Sequence, residues 1–182
     1  MLGVPAPFLE TGRPATTDVS TYLNGTLGLA VLFALAIVLT IARPNITRET
    51  GVLRRASITI IATLAAQVLH FAEELGTQFY VRFPVELGLQ PWSKRFFVVF
   101  NVVWLAVWVA SLLAVRARLV PALVPLWFLG LAMALNGVAH PVLALRAGGY
   151  FPGLATTPIV ALGGGILLYQ LFRVTSGERR AA

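Results

Sequence analysis

Cysteine is absent from the 182-residue chain. Its absence excludes disulfide frameworks, cysteine-ligated zinc, iron–sulfur clusters and thiol nucleophiles. Charge is scarce as well. Only 12% of the residues are Asp, Glu, Lys or Arg, against roughly 25% in soluble domains. That is too few to cover a water-facing globule of this size, and 58% of the residues are hydrophobic. Acids number seven against fourteen basic residues, a formal charge of +7. In a chain solvated mainly by lipid, such an excess belongs to the loops that flank membrane spans. No nucleic-acid partner is expected. The N-terminus lacks the basic start and short apolar core of a signal peptide. Residues 1–20, with Pro5, Pro7, Pro14, Glu10 and Asp18, read as an irregular tail.

Five runs reach the roughly 20 apolar residues that a span requires. They cover about 22–42, 56–77, 96–115, 119–145 and 156–172. Each is too long for a barrel strand of about ten residues. The fold class is therefore all-α, an integral membrane bundle of about five transmembrane helices. No repeat or linker divides residues 1–182, so one transmembrane domain is expected. Basic residues set the orientation. Arg43, Arg48, Arg54, Arg55, Arg116, Arg118, Arg173, Arg179 and Arg180 fall on one side. Arg13, Arg82, Lys94, Arg95 and Arg146 fall on the other. The richer side is cytoplasmic by the positive-inside rule. This places the chain in the cell inner membrane with its N-terminus outside and its C-terminus in the cytoplasm.

Ionisable groups inside spans cost about 2.5–3.5 kcal/mol on insertion scales and mark functional sites. Two acids, Glu73 and Glu74, lie in the second run, and both histidines, His70 and His140, lie in runs. His70, Glu73 and Glu74 stand at i, i+3 and i+4, with Gln67 one turn earlier. Asn136 and His140 stand at i and i+4 in the fourth run. Residues so spaced share a helix face. Lipid cannot satisfy such polar stripes, so both must turn inward and face each other. At about 1.5 Å per residue both lie in the outer half of the bilayer. The loop after the fourth run carries Tyr150-Phe151-Pro152-Gly153, followed by Thr156 and Thr157. Its Pro-Gly turn would hold Tyr150 over the site. The 78–95 segment does not span and reads as a short amphipathic segment roofing the site, with Trp92 as an interfacial-belt aromatic.

His70-Phe71-Ala72-Glu73-Glu74 resembles the HXXEE motif that names a family of small integral membrane proteins of unknown function. Asn136-x-x-x-His140 and Tyr150-x-Pro152-Gly153 resemble that family's other two elements, in the same order. The resemblance spans residues 70–153 and implies an enzyme, with a metal-dependent mechanism among the options.

Two imidazoles and a carboxylate suit zinc first, then iron or manganese. His70, Glu74 and His140 are the candidate metal ligands. Glu74 is preferred over Glu73 because i, i+4 is the spacing of paired ligands on one helix. Glu73 is then the candidate general base, Asn136 an orienting or oxyanion group, and Tyr150 a proton donor. The expected activity is a metal-dependent, hydrolase-like reaction on a membrane lipid or a lipid-like small molecule. Two alternatives stand beside it. One is a metal-free acid/base isomerase of lipids or isoprenoids. The other is a non-catalytic protein or transporter component whose His/Glu cluster is structural. A bundle this small can form a homodimer, though no motif specifies one.

Overall fold

A computed structural model describes residues 19–176. The tail residues Glu10, Arg13 and Asp18, and the C-terminal Glu178, Arg179 and Arg180, lie outside the described residues. Within them the chain forms α1 (Val19–Ala42), α2 (Thr50–Gly76), α3 (Phe79–Glu86), α4 (Lys94–Arg116), a single 3-10 turn (Val120–Ala122), α5 (Leu123–Arg146) and α6 (Thr157–Val174). Five of these segments are long and apolar enough to cross a membrane, and they coincide with the five runs in the sequence. Two boundaries differ. Helix α1 already starts at Val19, inside the expected tail. Helix α2 starts six residues earlier than 56, because Arg54 and Arg55 extend it rather than end it. Arginine is a good helix former, and hydropathy cannot see a polar first turn.

The span containing α5 is the axis of the bundle. Half of its apolar window is buried, against 11% for α1. Leu123, Leu126, Trp127 and Leu129 are fully buried. In lipid, apolar burial does not drive one helix onto another. Close packing between small residues does. Helix α6 lies tightly on α5 for that reason. A Cβ on Gly164 would stand 2.6 Å from the Ala134 backbone nitrogen, and one on Gly137 would stand 2.7 Å from the Ala161 Cβ. The 163–165 glycine run thus serves close packing, with Gly163 against Thr63 of α2, while Gly165 faces open space.

Helix α6 packs against both α5 and α2, and α1 against α5. Helices α2 and α5 are not packed closely on each other. They stand across a gap, and the polar residues lie in it. Helix α3 covers one end of this gap, as expected of the 78–95 segment. The reversal out of α2 runs through Gln78, which has a positive φ of 60°. Phe79 and Phe83 then stack at 4.8 Å. Trp92, an expected interfacial aromatic, is instead buried. Its indole lies against Gly25 of α1 and its N–H donates to the Thr21 carbonyl at 3.4 Å. A glycine at 25 leaves room for the ring.

Candidate metal centre

The expected inward stripes do face each other. His70 and Glu74 project from α2, and Asn136 and His140 from α5. The imidazole rings meet edge to face with centroids 4.8 Å apart. Glu74 Oε1 lies 3.5 Å from His70 Nε2 and 3.6 Å from His140 Nε2. All three residues are buried. One ligand atom from each lies within 4.8 Å of the others, a group able to hold a metal ion. Tetrahedral zinc, with bonds of about 2.0–2.1 Å, spaces its ligands about 3.4 Å apart. The two Glu74–His separations are close to that value.

The outer ring nitrogens show why the inner ones converge. His140 Nδ1 is 2.6 Å from the Pro152 carbonyl. A carbonyl only accepts, so Nδ1 carries a proton, and in the neutral ring Nε2 keeps its lone pair. His70 Nδ1 is 2.7 Å from Thr156 Oγ1, and that hydroxyl donates to Glu73 Oε2. Its proton being committed, Thr156 accepts from His70 Nδ1–H, and the His70 Nε2 lone pair also faces inward. Asn136 Nδ2 donates to that lone pair at 3.2 Å. Such outer partners fix tautomer and ring orientation in metal-binding histidines.

The loop between α5 and α6 builds this outer layer. Glu73 Oε1 accepts from Tyr150 Oη and from the Ala155 N–H, and Glu73 Oε2 accepts from both the N–H and the hydroxyl of Thr156. Four donors thus fasten one carboxylate to the loop. Tyr150 remains the donor because burial, and then its bond to Glu73, pushes the phenol above its ordinary pKa. Gly153 has φ +86° and leaves no room for a side chain. A Cβ there would stand 2.7 Å from His140 Nδ1 and 2.9 Å from His70 Cε1. The Pro-Gly turn therefore presses backbone against both imidazoles.

A cavity of about 360 Å³ opens on the other side of the triad. Glu74, His140, Asn136 and Gln67 line it, and Glu73 and Tyr150 do not. The sequence-derived base and proton donor thus stand behind the triad, bonded to each other and to the loop. Sequence reasoning picked out Gln67, which reaches the cavity wall. Asn101 also lines it, with its amide donating to the Phe97 carbonyl of its own helix. Thr156, Pro152 and Gly153 acquire roles that residue type alone did not assign. The nearest sequence signal was the position of Thr156 beside the start of α6, where a hydroxyl usually caps the helix. Here its side chain turns to Glu73 and His70 instead.

The model for the family described as proteins of unknown function with HXXEE motif matches residues 61–168. The chain belongs to that family. No curated protein and no solved structure matches it.

Proposed function

We propose that this member of the HXXEE family is a membrane-embedded, metal-dependent enzyme of hydrolase type that acts on a membrane lipid or similar amphipathic molecule. His70, Glu74 and His140 would hold the ion, zinc first, with iron or manganese as the other candidates. One observation carries the reading. Glu74 is a buried carboxylate that no hydroxyl, amide or backbone N–H reaches among the described residues, and the Nε2 atoms of two imidazoles lie 3.5 and 3.6 Å from its Oε1. Three acceptors converging in a low-dielectric gap repel one another unless a cation or a proton lies among them. The donor set of two imidazoles and one carboxylate fits a divalent ion.

A bound divalent cation would supply Lewis-acid polarisation of an acyl or phosphoryl oxygen and activation of water. The protein's own groups do the rest. Glu74 is the carboxylate that lines the cavity, where it would hold the ion or, with no ion bound, take a proton. The Asn136 amide orients a polar group of the substrate beside it. Pro152 and the Thr156–Glu73 pair hold the two imidazoles by their outer nitrogens. Glu73 is in this reading a positioning residue acting through Thr156, and Tyr150 supports it. The loop end of the bundle would face the outer leaflet, with the C-terminus in the cytoplasm.

One contact favours a second reading, metal-free acid/base chemistry. The Asn136 amide occupies the His70 lone pair that an ion would need. The two readings separate in an assay against a panel of ester and amide lipids. The metal reading expects hydrolysis that chelation abolishes and that Glu74→Gln lowers together with metal content, because it removes a ligand, whereas the metal-free reading expects Glu74→Gln to lower turnover by about 10²–10⁴-fold, the usual size of a general acid–base contribution. Turnover that survives chelation but not Glu74→Gln supports the metal-free reading. Turnover that survives Glu74→Gln overturns both.

A further inference from the structure

The cavity beside the triad is long and narrow. On α5 it extends from Leu143 to Phe128, fifteen residues or about 22 Å of helix. That is about three-quarters of a hydrocarbon core about 30 Å thick. Rings form much of its sides, among them Phe79, Phe96, Phe100, Trp104, Trp108 and Phe128. Gly28 of α1 also lines it, and a Cβ there would meet nothing within 4 Å. The polar residues gather toward the triad end. Gln67, one helical turn from His70, is buried, and its Oε1 receives no hydrogen bond. An unpartnered buried acceptor costs about 1–3 kcal/mol, which a ligand hydroxyl would relieve. Among the described residues, no lysine or arginine lines the cavity. A phosphate head would find no basic side chain there.

The same ring wall has a second face. Phe96, Phe100 and Trp104 also border a groove on the outer surface of the bundle, beside Tyr22 of α1. Helices α1 and α4 meet through Tyr22 and Phe96 at one end, with ring centroids 4.2 Å apart, and through Phe33 and Trp104 further down, at 5.8 Å. Between these two contacts the glycine-bearing stretch of α1 forms cavity wall. Phe96, Phe100 and Trp104 thus border both the cavity and the outer groove.

We propose that the cavity binds a neutral, single-chain lipid of the monoacylglycerol type. Its chain lies along the ring wall, and a hydroxyl of its head donates to Gln67 Oε1. It enters from the bilayer between α1 and α4. This deepens the enzyme reading, and it rests on that reading only for what happens at the triad.

The test is native mass spectrometry of the full chain released from phosphatidylcholine nanodiscs. The discs carry equimolar monooleoylglycerol and oleoyl lysophosphatidate, which share chain and glycerol and differ by the phosphate. The wild type should retain one monooleoylglycerol per chain and at most one-tenth as much lysophosphatidate. Gly28→Phe, which fills the cavity from α1, should lose at least 90% of that retention. Gln67→Met should lower it about tenfold. Equal or greater retention of lysophosphatidate, retention of neither lipid, or undiminished retention in both variants would overturn the proposal. Metal content measured on the same samples keeps the two readings apart. Metal without retained lipid defeats the lipid assignment alone, and retained lipid without metal defeats the metal reading alone.

Discussion

Gly153→Ala is expected to abolish tight metal binding although residue 153 offers no ligand. Two effects combine. The φ of +86° is unfavourable for any residue with a Cβ, at a cost of order 1–3 kcal/mol. The methyl group would also stand within 3 Å of both imidazoles, and the Pro152 carbonyl beside it orients His140. The loop cannot give way freely, because Glu73 fastens it two and three residues further on, at Ala155 and Thr156. Loss of an outer partner usually lowers metal affinity about 10–100-fold. Displacing two ligand rings at once should reach at least the upper end of that range. Gly148→Ala is the control. Its φ of +70° imposes similar strain, but a Cβ there meets nothing within 4 Å. Competition titration of zinc against a fluorescent chelator should show near-normal affinity for Gly148→Ala and a loss of about 100-fold or more for Gly153→Ala. Equal affinities would remove the loop from the account of the site.

Glu73→Gln is expected to damage the site from behind. The carboxylate accepts four hydrogen bonds. A carboxamide has one oxygen, and its NH2 group would face two donors whichever way it is turned. Hydrogen bonds to charged groups contribute about 1.5–3 kcal/mol each. Glu73 is only half-buried, so water replaces part of what is lost, and a net destabilisation of about 2 kcal/mol is expected. A domain of 150–250 residues then melts about 4–8 °C lower. Zinc affinity should fall about 10–100-fold, because the loop that holds both imidazoles loses part of its fastening and, where the NH2 group faces Thr156, that hydroxyl loses its acceptor. A general base in the same position behaves differently. Its replacement leaves melting temperature and metal affinity unchanged and removes only turnover. Melting scans and chelator competition on the same preparation decide between these outcomes.

The span pattern was legible because lipid leaves a strong compositional mark. Runs of about 20 apolar residues admit few readings other than helices, and the five helices follow them. The inward facing of the two stripes was legible for the same reason, since His70, Glu74, Asn136 and His140 have no partner in hydrocarbon. Helical spacing also favoured Glu74 over Glu73 in the triad, and Glu74 is the one that reaches both imidazoles. The division of labour between the two carboxylates beyond that was not legible. Adjacent residues on a helix point about 100° apart, and only the path of the α5–α6 loop determines that Glu73 meets donors while Glu74 meets imidazoles. Thr156 was equally opaque, because a hydroxyl beside a helix start has its usual explanation in capping. Trp92 illustrates the opposite error. Aromatic residues near span ends favour the interface on average, yet Gly25 opened a slot that made burial the better solution for this ring.

The most direct test of the account is elemental analysis of the detergent-purified full chain, never exposed to chelators, beside a His70→Ala, His140→Ala double variant. The account expects about one zinc, iron or manganese per wild-type chain and less than one-tenth of that in a variant that remains folded. A folded wild type with no stoichiometric metal, even after dialysis against each of the three ions, or a double variant that keeps the full complement, would contradict it.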